Sequence, residues 1–308
     1  MQASKQLYDD LLQQITVYES QEAKEIVFWL MEFYFGLKKI DILSNKSIEN
    51  KEIDWKSIIE RLNNHEPIQY ILGETEFFGR RFLVNKNVLI PRPETEELVK
   101  FIINSKKALP LGAAAVAEGW EGVLDLGTGS GCIAISLAKE LPNCQVFAWD
   151  ISEKALEIAQ KNAQLNNANV IFEKVDILNG RRSASQFLTG GVPLLNSQTE
   201  RRPFSIIVSN PPYVKKKEID LMQKNVLDFE PHLALFVEDN NPLIFYDAIA
   251  KIAHNNLTIN GLVIVEINET LGKETAEIFI TKGFSEVEII KDIHQKERFV
   301  KAILRKKD

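Results

Sequence analysis

The sequence predicts an α/β protein with a mostly parallel β-sheet covered by helices on both faces, preceded by a small helical domain. Apolar side chains recur at helical spacing through the first 73 residues. From about residue 121 onward, short apolar runs typical of buried strands alternate with helical patterns. We therefore divide the chain into a helical N-terminal domain at 1–75, a β-hairpin linker at 76–90 and an α/β domain at 91–308.

The composition favours a globular protein that does not bind nucleic acid mainly through the phosphate charges. The 308 residues are 45% hydrophobic and 26% charged, and the net charge is −6. Binding through phosphates needs a basic face, so we expect no direct sequence-specific nucleic-acid binding. The N-terminus lacks the apolar core of a signal peptide, and no apolar run is long enough to span a membrane. We therefore expect a cytoplasmic protein without membrane association. The cysteines and histidines lack metal-ligand spacing, so no metal site is predicted.

Helix signals define the N-terminal domain. Leu7 and Leu11 belong to a helical apolar pattern. Asp54 is suited to cap a short helix because its carboxylate can accept a backbone N–H, and Gly73 is suited to end the last helix. Such a domain is either a packed structural unit or a docking module for a partner. The sequence does not separate the two, because the same apolar residues are buried in both.

Residues 76–90 form the predicted hairpin. Their aromatic and β-branched side chains favour strands, and Asn85-Lys86-Asn87 is the predicted turn. A helix is expected to follow from Pro93, because proline suits the first helical turn. The acidic residues after it suit the positive end of the helix dipole.

Alternating strands and helices fill the rest of the chain. We predict strands at 122–126, 145–149, 170–175, 204–209, 262–267, 287–290 and 299–304, and helices at 132–141, 152–166, 243–255 and 273–282. This alternation predicts a doubly wound, Rossmann-like sheet whose ligands bind at the carboxyl ends of the strands. Two stretches interrupt the pattern. Residues 105–120 are predicted to be a flexible connection, and residues 179–203 a long surface insertion.

A glycine-rich loop directly follows the first of these strands. Glycines let the backbone turn sharply and let a ligand approach closely, and the next helix offers free N–H groups at its start. Asp150 and Asp176 end the second and third strands. There, carboxylates can accept hydrogen bonds from ribose hydroxyls and from an adenine amino group. The candidate cofactor loop consists of Gly127, Thr128, Gly129, Ser130 and Gly131.

The pattern of the loop distinguishes between two adenosyl cofactors. Nicotinamide enzymes have the pattern G-x-G-x-x-G/A, but Cys132 occupies its last position here. The sequence D-L-G-x-G-x-G, which begins at Asp125, is the form found in S-adenosylmethionine-dependent methyltransferases. Taken singly, Asp150 or Asp176 is equally well interpreted as a helix cap or a loop acid. Together, at two strand ends, they favour an adenosyl ligand.

The segment Asn210-Pro211-Pro212-Tyr213 follows the strand at 204–209. An amide nitrogen is a poor nucleophile because its lone pair is delocalised, so methyl transfer needs that nitrogen held and aimed. The side-chain oxygen of Asn210 and the carbonyl of Pro211 can accept its two N–H groups. The two prolines stiffen the loop, and Tyr213 can pack against a planar acceptor. A plain Asn-Pro turn is the alternative, but it does not explain why the turn ends the fourth strand after this glycine loop.

Several segments together resemble the peptide chain release factor glutamine methyltransferase family. They are EPIQYILGETEFFG (66–79), IPRPETEELV (90–99), LDLGTGSGCIAISLA (124–138), IVSNPPY (207–213), FEPHLAL (229–235) and ERFVKAILR (297–305). The PRPETE and FEP segments are the most specific of these. The resemblance covers most of the chain. It implies that residues 91–308 form an S-adenosylmethionine-dependent methyltransferase domain, which methylates the side-chain amide of the glutamine in the Gly-Gly-Gln motif of class 1 release factors.

The resemblance also implies roles for individual residues. The loop glycines would line S-adenosylmethionine, Asp150 would hold its ribose, and Asp176 with Ile177 would flank its adenine. Asn210, which also borders the cofactor, and Pro211 would hold the substrate amide. The N-terminal domain would dock the release factor. Relatives often have an aromatic residue at the position of Ile177, and the insertion at 179–203 is longer than the family pattern.

The main alternative is an amino methyltransferase that acts on adenine or guanine of nucleic acid. The NPPY segment suits any planar amino group, so the chemistry alone does not decide. The acidic net charge and the PRPETE segment weigh against this alternative. A non-catalytic interaction protein that has kept the fold is a second alternative, and the intact NPPY segment and glycine loop weigh against it. A nicotinamide enzyme is a third, and NPPY has no role in it.

Overall fold

The computed structural model describes residues 2–108, 122–182 and 204–306, which belong to two compact units. The smaller unit contains Met1–Glu74 and Met222–Phe229, and the larger contains Thr75–Leu221 and Glu230–Asp308. The domain boundaries expected from the sequence, after residues 75 and 90, stay a prediction. Within the described ranges, no helix is both long enough and apolar enough to cross a membrane.

Helices dominate the smaller unit. They are α1 (Ser4–Gln14), α2 (Ser20–Phe35), α3 (Lys39–Leu43), α4 (Trp55–Asn63) and α5 (Ile68–Leu72), with a short helix at Lys224–Leu227 and the two-residue antiparallel strands β1 (Gln2–Ala3) and β2 (Ser47–Ile48). As predicted, Asp54 caps α4, because the Ser57 N–H donates to its Oδ1 at 3.0 Å. Gly73 follows α5 with a left-handed φ of 77°, which ends the helix.

The core of the smaller unit explains why such short helices are stable. Its most deeply buried side chains come from α1, α2 and α4 and are Leu11, Val27, Leu30, Met31 and Leu62. Burying one side chain of this size contributes about 1.5–3 kcal/mol. Packing therefore stabilises helices that would be marginal in isolation.

The hairpin is present, but its turn differs from the prediction. Its strands are β3 (Glu74–Phe77) and β4 (Arg80–Leu83), joined by Phe78 and Gly79. Both turn residues have positive φ, 51° and 66°, as a two-residue turn matching the twist of a hairpin requires. The predicted turn at 85–87 instead forms a separate bend, in which the Val88 N–H donates to the Asn85 carbonyl at 3.0 Å. Asn85 does begin a turn, as predicted, but the residues that follow it do not form a strand of the hairpin.

A twisted sheet organises the larger unit. Its strands are β5 (Gly122–Leu126), β6 (Gln145–Asp150), β7 (Val170–Asp176), β8 (Arg181–Arg182), β9 (Phe204–Ser209), β12 (Leu257–Glu266), β13 (Phe284–Lys291) and β14 (Glu297–Leu304); a separate parallel pair is β10 (Val214–Lys215) with β11 (Phe236–Val237). The order across the sheet is β13-β14-β12-β9-β5-β6-β7-β8. Strands β5, β6, β7, β9 and β12 are parallel, and the remaining three are antiparallel to their neighbours. This confirms the predicted mostly parallel sheet.

Helices pack on both faces of this sheet. The larger unit contains the helices α6 (Pro93–Ala108), α7 (Cys132–Glu140), α8 (Glu153–Leu165), α9 (His232–Leu235), α10 (Ile244–Asn256) and α11 (Gly272–Thr281). Successive strand residues alternate between two apolar cores. Val123 of β5 joins the core that contains residues of α6 and α7, whereas Leu124 joins the core that contains residues of α10 and α11. Both faces are covered, so every residue of the central strands β5 and β9 is buried.

The two predicted interruptions lie mostly outside the described residues. Helix α6 continues to Ala108, so residues 105–108 are helical rather than part of a flexible connection. Their sequence, SKKA, contains good helix formers and no breaker before Pro110. Residues 179–182 form a turn and β8. The rest of both stretches, 109–120 and 183–203, falls outside the described ranges.

The switch in strand order determines where a ligand can bind. The chain runs from β5 to β6 on one side and later enters β9 on the other side of β5. The segments that follow these three strands therefore diverge at one edge of the sheet, and a crevice forms between them. The glycine loop follows β5, Asp150 ends β6 and Asn210 follows β9. The topology thus brings the main candidate residues to one crevice.

Asn162 of α8 links the hairpin to the glycine loop. It is fully buried. Its Oδ1 accepts the Leu83 N–H at 2.6 Å, and its Nδ2 donates to the Leu83 carbonyl at 3.0 Å and to the Ser130 carbonyl at 2.9 Å. One side chain therefore satisfies three backbone groups from two segments that are 47 residues apart in the chain, residues 83 and 130.

We expect Asn162→Ala to lower the free energy of unfolding of the larger unit by about 1–3 kcal/mol, because buried backbone groups lose their partner. Urea unfolding followed by fluorescence measures it. Gln164→Ala, an exposed position on the same helix, is the matched control and should change stability by no more than about 0.5 kcal/mol. Equal effects of the two variants would contradict a bridging role for Asn162.

Candidate active site

The glycine loop is held by the strand beside it. The N–H groups of Gly127 and Thr128 both donate to the Trp149 carbonyl, at 2.8 and 3.0 Å. The Gly131 N–H donates to the Thr128 carbonyl at 2.9 Å and closes the turn. The three glycines have φ values of 75°, 55° and 83°, which residues with a side chain rarely adopt. The loop therefore has a fixed shape before any ligand binds.

The glycines serve two different purposes. A Cβ on Gly131 would lie 2.9 Å from Ile135 Cδ1 and 3.1 Å from Ala159 Cβ, so this glycine permits close packing between helices. A Cβ on Gly127 or Gly129 would meet no other described atom within 4 Å. These two glycines border open space, and a ligand can approach their backbone directly.

That open space is a cavity at the carboxyl ends of β5, β6 and β9. Its walls include most of the residues that the sequence predicts, namely Gly127, Thr128, Gly129, Ser130, Asp150, Asp176, Ile177, Asn210, Pro211 and Pro212. Its apolar lining includes Leu89 and Leu233. Gly131 and Tyr213 do not line it: Gly131 packs against α8, and the Tyr213 hydroxyl bonds to Glu266. The structure thus assembles ten of the candidate residues around one space.

Asp150 is built into the loop at the end of β6. Its Oδ2 accepts the Gly129 N–H at 2.9 Å, and its Oδ1 accepts the Ser152 N–H at 2.8 Å. Burial raises the pKa of Asp150, and these backbone hydrogen bonds oppose that shift. A carboxylate oxygen can accept more than one hydrogen bond, so both oxygens can still accept ribose hydroxyls. Their use by a cofactor stays a prediction.

Asp125, the first residue of the D-L-G-x-G-x-G motif, supports the glycine loop from within β5. Its Oδ2 accepts the hydroxyl of Thr128 at 2.7 Å, which turns the Thr128 side chain toward β5. Burial raises the pKa of Asp125 to about 7, with a smaller contribution from the charge of Asp150 in the same direction and an opposing one from the hydrogen bond of Thr128. Asp125 is therefore a buried acid that loses its proton near neutral pH.

The predicted adenine residues lie at the end of β7. Ile177 lines the cavity. The Asp176 carboxylate accepts the N–H groups of Leu178 and Asn179, at 3.0 and 3.2 Å, and the side-chain amide of Asn179 at 2.7 Å. It therefore shapes the turn that follows β7. Contacts of Asp176 and Ile177 with an adenine stay a prediction.

Asn210 is oriented by a neighbour that the sequence did not single out. Its Nδ2 donates to the Thr95 hydroxyl oxygen at 3.3 Å, and that hydroxyl donates to Glu266 Oε2 at 2.9 Å. Thr95 and Glu266 are each 2% exposed. Within the described residues, no hydrogen bond is made by Asn210 Oδ1, and Asn210 lines the cavity. The amide oxygen is the atom left to receive a donor from a ligand.

The other end of the NPPY loop is fixed by the end of β12. The Tyr213 hydroxyl donates to Glu266 Oε1 at 3.0 Å, and Asn268 Nδ2 donates to the Tyr213 carbonyl at 3.2 Å. Burial raises the pKa of Tyr213 well above its ordinary value, reinforced by the nearby charge of Glu266. Tyr213 is thus a neutral anchor. Its predicted packing against an acceptor group stays a prediction.

The two most specific sequence segments meet beside the cavity. The Arg92 guanidinium of PRPETE pairs with the Glu230 carboxylate of FEP at 2.5 Å, and the Ile90 N–H donates to the same carboxylate at 3.1 Å. The Glu230 side chain is only 1% exposed, so it depends on these partners. Arg92 and Thr95 both line the cavity. The ion pair therefore holds the start of α6 against the segment before α9.

The fold and this site define a methyltransferase domain. The family model described as "Methyltransferase domain" matches residues 120–307, and the model described as "PrmC N-terminal domain" matches residues 6–73. The chain belongs to the release factor glutamine methyltransferase family, as the resemblance indicated.

Two curated relatives carry that assignment. A release factor glutamine methyltransferase of Flavobacterium psychrophilum is 44% identical over 295 residues, which cover 94% of this chain and 95% of the relative. A second, of Bacteroides thetaiotaomicron, is 40% identical over 289 residues, 93% of this chain and 94% of the relative. Among solved structures, a methyltransferase from Pyrococcus furiosus covers 75% of this chain and 91% of its own, with 21% identity and a TM-score of 0.46.

We expect Asp150→Ala to weaken binding of S-adenosylhomocysteine by roughly 1.5–3 kcal/mol, or about 10- to 150-fold in Kd, because hydrogen bonds to a charged group are lost. Isothermal titration calorimetry measures it. The matched control is Glu153→Ala, which removes a neighbouring carboxylate that is 72% exposed, and it should leave the Kd unchanged. An unchanged Kd for Asp150→Ala would remove this residue from the cofactor site.

The raised pKa of Asp125 predicts a pH-dependent stability difference. The folded protein retains the Asp125 proton up to about pH 7, whereas the unfolded chain loses it near the ordinary aspartate pKa of 3.8. Between these values the folded state binds more protons, so the wild type loses stability as the pH rises. The Asp125→Asn variant has no proton to lose at this position. Its free energy of unfolding, relative to that of the wild type, should therefore rise with pH up to about pH 7 and stay constant above it. Urea unfolding of both proteins from pH 5 to 9, without cofactor, measures the difference. Parallel curves would mean that the Asp125 pKa is equal in both states.

Proposed function

We propose that this protein transfers a methyl group from S-adenosylmethionine to the side-chain amide nitrogen of the glutamine in the Gly-Gly-Gln motif of class 1 peptide chain release factors. The observation that carries the proposal is the Asn210 amide oxygen, free of partners among the described residues and bordering the cavity above the glycine loop. The family supports it, because relatives that match nearly the whole chain are named release factor glutamine methyltransferases.

The cavity has the features that S-adenosylmethionine requires. The open backbone of Gly127 and Gly129 allows close approach by the amino-acid part of a ligand, and the start of α7 favours its carboxylate. Asp150 offers acceptors for the ribose hydroxyls. Ile177 and Asp176 offer an apolar surface and an acceptor for the adenine. When bound, this cofactor supplies an electrophilic methyl: the nitrogen lone pair forms the new N–C bond, the C–S electron pair goes to sulfur, and the nitrogen releases one proton.

The residues of NPPY align the acceptor nitrogen. A primary amide presents two N–H groups, and Asn210 Oδ1 and the Pro211 carbonyl can accept one each. Acceptors outside the amide plane favour the pyramidal nitrogen of the transition state over the planar ground state. Pro211 and Pro212 restrict the loop, so the two acceptors keep their spacing. No strong base is needed, because the nitrogen becomes acidic once it carries the methyl group.

A folded protein substrate agrees with the rest of the chain. The acidic chain, with a net charge of −6, lacks the bulk positive charge that concentrates nucleic acid. The smaller unit matches the "PrmC N-terminal domain" model. In this proposal it docks the release factor and supplies binding energy remote from the reacting nitrogen. Because release factors act on ribosomes, the proposal also implies a cytoplasmic location.

The proposed substrate predicts a ranking of methyl acceptors. Label from S-adenosylmethionine should enter an intact class 1 release factor, not its Gln→Ala variant and not total RNA. A short Gly-Gly-Gln peptide should react much more slowly, because it lacks the remote contacts. Mass spectrometry of the release factor should locate one added methyl on the glutamine.

The Asn210→Ala enzyme is the control for this assay. It should bind S-adenosylhomocysteine within a few-fold of the wild type but transfer methyl roughly 10²- to 10³-fold more slowly, because only the acceptor on the substrate is lost. Asn256→Ala removes a similar amide before β12, at the opposite end of the sheet, and should match the wild type. Label in RNA, or equal label in the Gln→Ala release factor, would sink the glutamine assignment.

A further inference from the structure

A buried chain of hydrogen bonds runs from Glu266 to the cavity. Glu266 ends β12, Thr95 lies in the first turn of α6, and Asn210 follows β9. The Thr95 hydroxyl joins the other two: its oxygen is 2.9 Å from Glu266 Oε2 and 3.3 Å from Asn210 Nδ2. Three elements that are distant in sequence thus meet at one hydroxyl group.

The chemistry of the carboxylate determines the direction of this chain. The two oxygens of Glu266 accept the hydroxyl protons of Thr95 and Tyr213, and a threonine hydroxyl has one proton to donate. Since Thr95 donates that proton to Glu266, its oxygen can only accept from Asn210. The Asn210 side chain must therefore present its NH2 group to Thr95 and its oxygen to the cavity. The reverse orientation would leave Asn210 Oδ1 facing an oxygen without a proton.

Glu266 is anchored so that it keeps this role. The Tyr213 hydroxyl donates to its second oxygen, Oε1, at 3.0 Å. Both oxygens are thus occupied, and the residue is 2% exposed and does not line the cavity. Burial raises the pKa of Glu266, whereas the hydrogen bonds of Thr95 and Tyr213 lower it. Glu266 itself does not line the cavity, so it acts on the site through Thr95 rather than by direct contact with a substrate.

We propose that Thr95 and Glu266 are positioning residues that hold the Asn210 amide with its oxygen toward the acceptor nitrogen. The inference rests on the proposed function, in which that oxygen accepts an N–H from the substrate amide. With the amide reversed, two NH2 groups would face each other, and the substrate nitrogen would lose its alignment. Thr95 belongs to the PRPETE segment. The proposal therefore gives that segment a direct connection to the NPPY loop.

The decisive variants change one hydroxyl. Thr95→Val keeps the shape but removes the link, whereas Thr95→Ser keeps the hydroxyl. Thr275→Val is the matched control: Thr275 is fully buried, and its hydroxyl has no partner among the described residues. Methyl transfer to release factor is measured in single turnover, together with the Kd of S-adenosylhomocysteine and the melting temperature.

We expect Thr95→Val to slow methyl transfer about 10- to 100-fold, because a misaligned nucleophile loses rate on this scale. Its Kd for S-adenosylhomocysteine should stay within about twofold, since the cofactor loop is untouched. Thr95→Ser and Thr275→Val should transfer methyl within about threefold of the wild type. A merely structural role of Thr95 would lower the melting temperature without this selective loss of rate. Equal rates for Thr95→Val and the wild type, or a Thr95→Ser enzyme as slow as Thr95→Val, would overturn the proposal.

A double variant tests whether Thr95 acts through Asn210. In the Asn210→Ala background, Thr95→Val should lower the rate of methyl transfer less than about threefold, because the group that Thr95 positions is already absent. Multiplicative losses would mean that Thr95 acts by another route and would contradict the proposal. If Thr95→Val does not fold, Glu266→Gln serves instead. Its NH2 group, placed toward Thr95, would donate to the hydroxyl and reverse the direction of the chain.

A readout without turnover separates this proposal from the proposed function. The side-chain NH2 signals of Asn210, assigned by their absence in Asn210→Ala, can be followed by nitrogen-15 NMR. In the wild type they should exchange with solvent more slowly than in Thr95→Val, because one N–H is bonded to Thr95. Identical exchange would overturn the orientation even if release factor is methylated. Failure of the wild type to methylate release factor, with slow exchange retained, would overturn the substrate instead.

Discussion

The central constraint on this molecule is the hydrogen bonding of β5 to a parallel strand on each side. Its pairing with β6 and β9 places the ends of three strands at one edge. The Trp149 carbonyl at the end of β6 then receives two N–H groups of the glycine loop, so the loop inherits the geometry of the sheet. Apolar burial on both faces leaves this edge as the place where polar groups reach a ligand. The cofactor loop, Asp150 and Asn210 are consequences of that one arrangement.

The sheet brings the segments of the site together, and buried polar groups then fix their exact positions. Asp125, Asn162 and Glu266 are almost without solvent exposure, and each accepts or donates hydrogen bonds to a segment of the site. Such groups are costly when they lose a partner, so each has few orientations. A loop held by them is rigid before a ligand arrives, which lowers the ordering that binding requires. The resulting precision suits a reaction in which a weak nucleophile must be aimed.

Periodicity predicted the strands and helices well, because burial on a pleat or a helix face is a local property of the sequence. The strands at 122–126 and 204–209 agree with the prediction at both ends. The hairpin turn was misplaced, since Asn85 and Gly79 are both turn residues and only pairing selects one. Thr95 and Glu266 were missed as site residues because they are 171 residues apart. No local pattern reports which buried donor meets which acceptor, although an acid at the end of the apolar run LVIVE was a usable signal.

The bridge made by Asn162 has a consequence for how the two segments it joins respond to a ligand. Its side chain bonds both to Leu83 in the hairpin and to Ser130 in the glycine loop. Thermodynamic coupling is reciprocal. If an ordered hairpin stabilises the glycine loop, a ligand that binds the loop stabilises the hairpin by the same free energy. The amide of Leu83, which lies outside the cavity wall, is therefore a remote reporter of occupancy. Its rate of exchange with deuterium would fall as the cavity fills, without any probe attached to the site.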